Sequence, residues 1–371
     1  MSALHAEPAP QESLAESGVV DPADAAESAG LTYVTDDEPG IRRKRSGKGF
    51  TYTDAKGRTI KDKAELARLK SLAVPPAYTD VWISPDPNGH IQATGRDARG
   101  RKQYRYHPRF REVRDSTKFE HLVAFAEALP QIRERVDADM RKRTLTREKV
   151  LATIVHLLET TLIRVGNADY VRRNKTYGLT TLGDEHVDVE GDNLRFVFSG
   201  KGGKEWRLKV RDRRVARTVR LLEDLPGQRL FQWVDEDGTR HAVESADVNT
   251  YLREITGREI TAKDFRTWGG TVLAAVALRE FEAFDTKAAA KKNLKAAIEQ
   301  VSSRLGNTPT ICRKCYVHPE VLSAYLEGSL AEEVTREAER ALARELDGLE
   351  PEEAAVLAVL RTRLALESRA G

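Results

Sequence analysis

The sequence has little cysteine, no long apolar run and, over its first forty residues, no Lys or Arg. Its two cysteines, Cys312 and Cys315, stand three residues apart and cannot build a disulfide framework, which points to a reducing, cytoplasmic compartment. The amino terminus lacks a basic start followed by an apolar stretch, so no secretory signal is expected. Nowhere do about twenty apolar residues follow one another as a bilayer span requires, so no membrane partner is expected. Residues 1–30 are rich in Ala, Glu, Ser, Pro and Asp with almost no large apolar side chains. They cannot bury enough surface to offset the entropy of ordering, and a disordered acidic leader is expected there.

A chain of 371 residues is too long for one ordinary core, so two domains plus tails are expected. The net charge of +3 is small, but residues 41–118 carry an excess of roughly a dozen positive charges, suited to a polyanionic partner. Most charge runs, Arg42 to Arg45 included, are simply solvated surface, so charge alone does not identify that partner. Residues 31–117 read as a small β-rich domain. Phe50 to Thr53, Val81 to Ser84, His90 to Thr94 and Gln103 to His107 are β-prone and separated by turn chemistry such as Asp54-Ala-Lys-Gly57, with one helix at Lys63 to Leu72 closed by Pro75-Pro76. Residues 118–330 read as a larger helical domain, with apolar positions at three- and four-residue spacing through Leu122, Val150, Ile154, Leu157 and Leu162. A β-hairpin interrupts it: Val187 to Val189, Leu194 to Phe198 and Trp206 to Val210 alternate like strands, the last two about the turn Ser199-Gly-Lys-Gly-Gly203, which carries a lysine near its tip. Helices are expected again at Arg213 to Leu222, Ala246 to Ile255, Gly269 to Phe284 and Thr286 to Leu305, and residues 331–371 form an amphipathic helical tail. The fold class is α+β.

Cys312-Arg-Lys-Cys315 followed by His318 has the look of half a zinc site. A closed site needs four ligands, and no second Cys pair or matching His pair exists. The two residues are expected to be ordinary thiols, with neither metal nor cofactor.

Eight separated segments carry a different constellation. Gly49-Phe-Thr-Tyr52, Leu72-Ala-Val-Pro-Pro-Ala-Tyr78, Val81-Trp-Ile83 and the run from Gly95 to Tyr106 occupy the front; Ile163-Arg-Val-Gly-Asn167, Gly200-Lys201, Lys263-Asp-Phe-Arg-Thr-Trp-Gly269 and the run from Leu305 to Tyr316 follow. Taken alone, each has an ordinary explanation: an Arg near a helix end, a solvated hairpin Lys, a packing Tyr. In this order and with these flanks, residues 31 to about 328 resemble the type IB DNA topoisomerases, particularly their compact bacterial and poxvirus-like forms. The resemblance implies a β-rich DNA-clamping domain and a helical catalytic domain of the tyrosine recombinase/type IB topoisomerase type. It also implies a monomer acting on duplex DNA, supercoiled DNA above all, in the nucleoid. Arg99, Arg101, Lys102 and Arg105 would supply phosphate contacts, with Gln103, Tyr104 and Tyr106 reaching base edges or sugars and Tyr170 and Lys263 joining from the helical domain.

The implied chemistry uses Tyr316 as nucleophile on phosphorus, Arg164 and Arg266 as clamps on the non-bridging oxygens, Lys201 as general acid for the departing 5′ oxygen and Asn307 as a further donor. Two departures stand out. Asn307 occupies a position where many family members have His, so it can donate but not carry charge, and Gly202 follows the lysine where the poxvirus-like pattern has Asp. Two other readings stay open. A tyrosine recombinase uses a similar residue set, although Lys263 stands where recombinases typically have His; a noncatalytic DNA-binding protein would keep the basic surface without the chemistry.

Overall fold

The structure is a computed structural model that describes residues 22–47, 49–281, 286–343 and 348–370. It divides into two units between Glu120 and His121. The first contains α1 (Pro22–Ser28), β1 (Ile41–Ser46), β2 (Gly49–Thr53), α2 (Lys63–Ser71), β3 (Thr79–Ile83), β4 (Ile91–Arg96) and β5 (Lys102–Tyr106), and α3 (Pro108–Met140) begins in it. The strands form one antiparallel sheet in the order β2-β1-β3-β4-β5. Alternation along the strands buries both faces. Trp82, Ile91 and Tyr106 pack with Phe110, Leu31, Val34 and the alanines of the α1 region, whereas Ile41, Val81, Ile83 and Ala93 pack with Tyr52 and Leu69 of α2. Asp62 starts α2 by accepting the Glu65 N–H at 2.7 Å.

Two readings of this region are corrected. Residues 22–30 do not belong to a disordered leader: Ala25, Ala26 and Ala29 are buried, because a stripe of small side chains lets the short helix lie close to Trp82 without any large apolar group of its own. Residues 1–21 lie outside the described residues. The run Arg42 to Arg45 is not merely a solvated charge run but most of strand β1, and Arg43 turns inward to donate to the carbonyls of Val74, Pro75 and Tyr78 at 2.7 to 2.9 Å.

The second unit contains the end of α3, then α4 (Arg147–Thr161), α5 (Ala168–Asn174), β6 (Val187–Glu190), β7 (Asn193–Ser199), β8 (Glu205–Arg211), α6 (Arg213–Glu223), β9 (Gln232–Val234), β10 (Arg240–Ala242), α7 (Ser245–Thr256), α8 (Ala262–Arg279), α9 (Lys287–Leu305), α10 (Pro309–Cys315), α11 (Pro319–Glu327), α12 (Leu330–Ala343) and α13 (Pro351–Ala370). Helix α4 is central: Val150, Leu151, Ile154, Val155, Leu157 and Leu158 are all fully buried. The expected hairpin is present as β7 and β8, with Phe198 opposite Trp206, and β6 extends it to three strands. The described helices from Leu330 onward are the expected helical segment, and they pack on the unit. Leu360 and Val356 are buried, and Glu353 accepts from Arg133 at 2.8 Å and from Trp268 Nε1 at 3.1 Å. Helix α8 starts at Ala262, seven residues before the expected Gly269. Among the described residues, no helix is long and apolar enough to cross a membrane.

Candidate active site

The site is built where α4, α9 and α10 end or begin around α8. Thr261 and Asp264 cap the start of α8: the Thr261 N–H and hydroxyl both donate to the Asp264 carboxylate, at 2.8 and 3.0 Å. Two residues later Arg266 faces inward, 3% exposed. Its guanidinium donates to the carbonyls of Leu162 and Leu305, the latter at 2.6 Å. Leu162 is the left-handed C-cap of α4, and Leu305 is the last residue of α9 before Gly306, which adopts the same conformation. One cation therefore sits at the carbonyl-rich ends of two helices, where a positive charge is most favourable. The residues just beyond those two ends are Arg164 and Asn307.

Arg164 lies in a loop pinned to Gly178–Thr180, with the Leu179 N–H donating to its carbonyl at 2.9 Å and the Thr180 N–H donating to Val165 at 2.7 Å. A Cβ on Gly178 would stand 2.6 Å from the Arg164 carbonyl oxygen, so only glycine allows this approach. Asn307 sits in a corner that the motif Gly306-Asn-Thr-Pro309 dictates: Gly306 ends α9, Thr308 caps α10 by accepting from the Ile311 N–H, and Pro309 opens α10. Arg164 Nη2 donates to Asn307 Oδ1. Arg164 Nε and Asn307 Nδ2 are buried and have no hydrogen-bond partner, and no carboxylate pairs with Arg164 among the described residues. Two buried donors without acceptors are costly unless an anion completes them.

Tyr316 closes α10, its N–H donating to the Cys312 carbonyl at 2.9 Å. Its side chain is 4% exposed, and the Arg266 guanidinium carbon lies 5.1 Å from its ring centre. The glycine pair of helix α8 permits two close approaches: a Cβ on Gly270 would meet the Tyr316 carbonyl oxygen at 2.5 Å, and one on Gly269 would meet Leu162 at 2.8 Å. This packing explains why a helix runs through residues that read as its beginning. Cys312 is buried against the same surface, and burial pushes its thiol up to about 11, an unreactive group. His318 caps α11 by accepting the Glu320 N–H at 3.1 Å. Among the described residues, no group of three His, Cys, Asp or Glu is arranged to hold a metal.

Lys201 occupies the turn between β7 and β8, where Gly202 and Gly203 both have positive φ. Lys263 lies in the first turn of α8, partly buried. Tyr170 falls in α5, and its side chain lies outside the described residues.

In the first unit Asp97 organises the β4–β5 loop. Its Oδ1 accepts the N–H groups of Arg99 and Arg101 at 3.0 and 2.9 Å, with Gly100 supplying a positive φ. Burial works against ionisation of this carboxyl, but hydrogen bonds from the Arg101 side chain and from both N–H groups outweigh it and hold it below the usual range. Arg99 is exposed; Arg101 pairs with Asp97 at 2.6 Å and Lys102 with Asp36 at 2.7 Å. Arg105 donates to the Ala73 carbonyl at 3.0 Å. Tyr104 is partly buried and stacks on Tyr106. Gln103 and Tyr106 are buried, Gln103 donating to Asp97 and Tyr106 packing in the core.

Residues that the sequence reading did not single out complete the site. Trp206 fits against Gly200 and Gly306, the glycines that immediately precede Lys201 and Asn307; a Cβ would come within 2.5 Å of the indole at the first and 2.3 Å at the second. The available signal was a glycine directly before each polar candidate.

Residues 107–342, which hold all five of these candidates, match the family model for the eukaryotic DNA topoisomerase I catalytic core, and residues 49–97 match that for the bacterial DNA topoisomerase IB N-terminal domain. The chain is 32% identical to the DNA topoisomerase 1B of Acanthamoeba polyphaga mimivirus over 293 residues, 77% of this chain and 87% of the relative. It is 21% identical to the DNA topoisomerase 1B of Vaccinia virus (strain Copenhagen) over 300 residues, 79% of this chain and 92% of the relative. The extent of these matches across both units establishes that the chain belongs to the type IB DNA topoisomerase family of enzymes.

Proposed function

We propose that this enzyme relaxes positive and negative supercoils by cutting and rejoining one strand, without ATP or a metal ion. The observation that carries this reading is the pair of buried, unsatisfied donors, Arg164 Nε and Asn307 Nδ2, fixed to each other and linked through Arg266 to Tyr316. A phosphodiester offers what they lack: oxygen acceptors and a negative charge. Tyr316 Oη forms a bond to phosphorus as the P–O5′ bond breaks, its own proton passes to water, and Lys201 protonates the departing oxygen. The resulting 3′-phosphotyrosyl ester keeps the energy of the original bond, so attack by the 5′ hydroxyl reverses the step after the uncut strand has served as a swivel. Arg164, Arg266 and Asn307 stabilise the charge on the non-bridging oxygens.

In the first unit Arg99, Arg101, Lys102 and Arg105 contact phosphates with Tyr104 among them, whereas Gln103 and Tyr106 serve by shaping the strand that presents these residues; in the second unit Tyr170 and Lys263 contact the duplex. The protein acts as a monomer on supercoiled duplex in a reducing, nucleoid-containing compartment, and its helical unit takes the fold shared with tyrosine recombinases.

The test is relaxation of a supercoiled plasmid in EDTA without ATP, with detergent trapping of protein-linked DNA. Wild type is expected to relax the plasmid and yield 3′-linked DNA, and Tyr316→Phe to lose both by about a thousandfold or more. Relaxation that survives Tyr316→Phe, or a folded, DNA-binding wild type that relaxes nothing, overturns the reading.

A further inference from the structure

Lys201 is carried on a turn rich in glycine, shaped by hydrogen bonds from the Gly200 N–H to Lys204 at 2.7 Å and from the Gly203 N–H to Gly200 at 3.0 Å and joined at its start by the Tyr177 N–H donating to Ser199 at 2.8 Å. Packing ties this turn to the corner between α9 and α10. The link is Trp206. Its indole is 6% exposed, stacks on Phe198 with ring centres 6.1 Å apart, and rests on Gly200 with one edge and on Gly306 with the other. Lys204 adds a second tie, donating to the Ser303 carbonyl at 3.3 Å. Gly306 is anchored as the C-cap of α9, and Asn307 is anchored by its N–H bond to Ser302 and by Arg164.

We infer that Trp206 is a positioning residue for proton transfer: by filling the slot between Gly200 and Gly306 it sets the Lys201 turn against the helix corner that carries the phosphate donors. This rests on the proposed role of Lys201 as general acid. Gly200 has φ −90° and ψ −175°, a backbone that any residue adopts, so what forbids a side chain there is the indole alone.

The experiment is single-turnover cleavage of a duplex at a site mapped with the wild-type enzyme, made once with the natural bridging 5′ oxygen and once with sulfur there, whose thiolate leaves without a proton. Loss of a general acid costs about a hundredfold or more on the oxygen substrate and little on the sulfur one. Trp206→Ala and Gly200→Ala are each expected to show that pattern with DNA affinity unchanged, Trp206→Phe to recover much of the rate, and the Gly200→Ala/Trp206→Phe pair to outperform Gly200→Ala alone. Equal loss on both substrates, or no loss on either, overturns the positioning role. Lys201→Ala run in parallel separates the two ideas: if it fails on both substrates alike, the role of Lys201 falls; if it is rescued by sulfur and Trp206→Ala is not, only the inference about Trp206 falls.

Discussion

Arg164 and Arg266 carry the same charge but stand in opposite relation to the fold. Arg266 joins the ends of α4 and α9 through two carbonyls, so it is part of the architecture as well as of the proposed chemistry. Arg164 bonds a neutral amide and holds a buried Nε with no acceptor, which suits an absent ligand better than the folded chain. Replacing each with Ala is expected to separate the roles: Arg266→Ala loses about 2 to 4 kcal/mol of stability by urea denaturation, and Arg164→Ala changes it by about 1 kcal/mol or less. Both lose strand cleavage. A large destabilisation by Arg164→Ala would mean that its donors are satisfied in solution and that the site is not held open for phosphate. These residues were legible in the sequence because their chemistry is specific and their flanking motifs are long. Trp206 was not, because nothing in the sequence reveals that Gly200 and Gly306 face one indole.

At the scale of elements, recognition depended on which signal dominated locally. Asp54-Ala-Lys-Gly57, Asp97-Ala-Arg-Gly100 and Asp235-Glu-Asp-Gly238 make one turn three times, the Asp accepting the N–H groups two and four residues on. The third joins β9 to β10, a hairpin missed because strands of three residues show too little alternation. Strand β1 was hidden by its charges, and the first turns of α8 by the glycine pair that its packing requires. Between α3 and α7 the junction depends on one carboxylate: Asp139, 3% exposed, accepts from the Tyr251 hydroxyl at 2.7 Å and pairs with Arg135 and Lys142 at 2.8 Å. Burial opposes its ionisation, but bonds from Lys142, Tyr251 and Arg135 prevail and hold its pKa below the ordinary 3.8. A carboxyl lowered on folding stabilises the protein fully above its unfolded value and loses that contribution as pH falls through the lower folded value. Asp139→Asn is therefore expected to be less stable than wild type at neutral pH and to lose less of its stability on acidification below about pH 4, measured by urea denaturation across the acid range. Parallel pH profiles for the two proteins would show that Asp139 is not the acid-sensitive tie.

For the whole molecule the distribution of charge matters more than its sum, since residues 1–40 contain no Lys or Arg while the following segment is basic. Duplex affinity is expected to fall steeply between about 50 and 200 mM salt. The contacts are not equivalent. Arg99→Ala, which removes an exposed cation, should reduce the slope of log affinity against log salt by about 1, and Arg101→Ala, which removes one already paired with Asp97, by less. Fluorescence anisotropy with a short duplex measures both; a response flat in salt would remove phosphate contacts from the account. The two-unit organisation was legible from the change in periodicity near residue 118, whereas the packing of α13 on the helix that carries Arg266 was not, because an amphipathic helix does not name the surface it covers.

The burial of Tyr316 carries a consequence for when the enzyme is dangerous. On the proposed mechanism, a nucleophile 4% exposed cannot meet a phosphodiester that drifts past in solution, so the free protein is a cutter with its edge covered. On the proposed mechanism the same shelter acts after the cut. Water reaching the phosphotyrosine would turn a reversible pause into a permanent nick, whereas the 5′ hydroxyl, held nearby by its own duplex, needs no path through solvent. On that mechanism one buried ring guards the DNA twice, against breaks that were never called for and against breaks that would never be resealed.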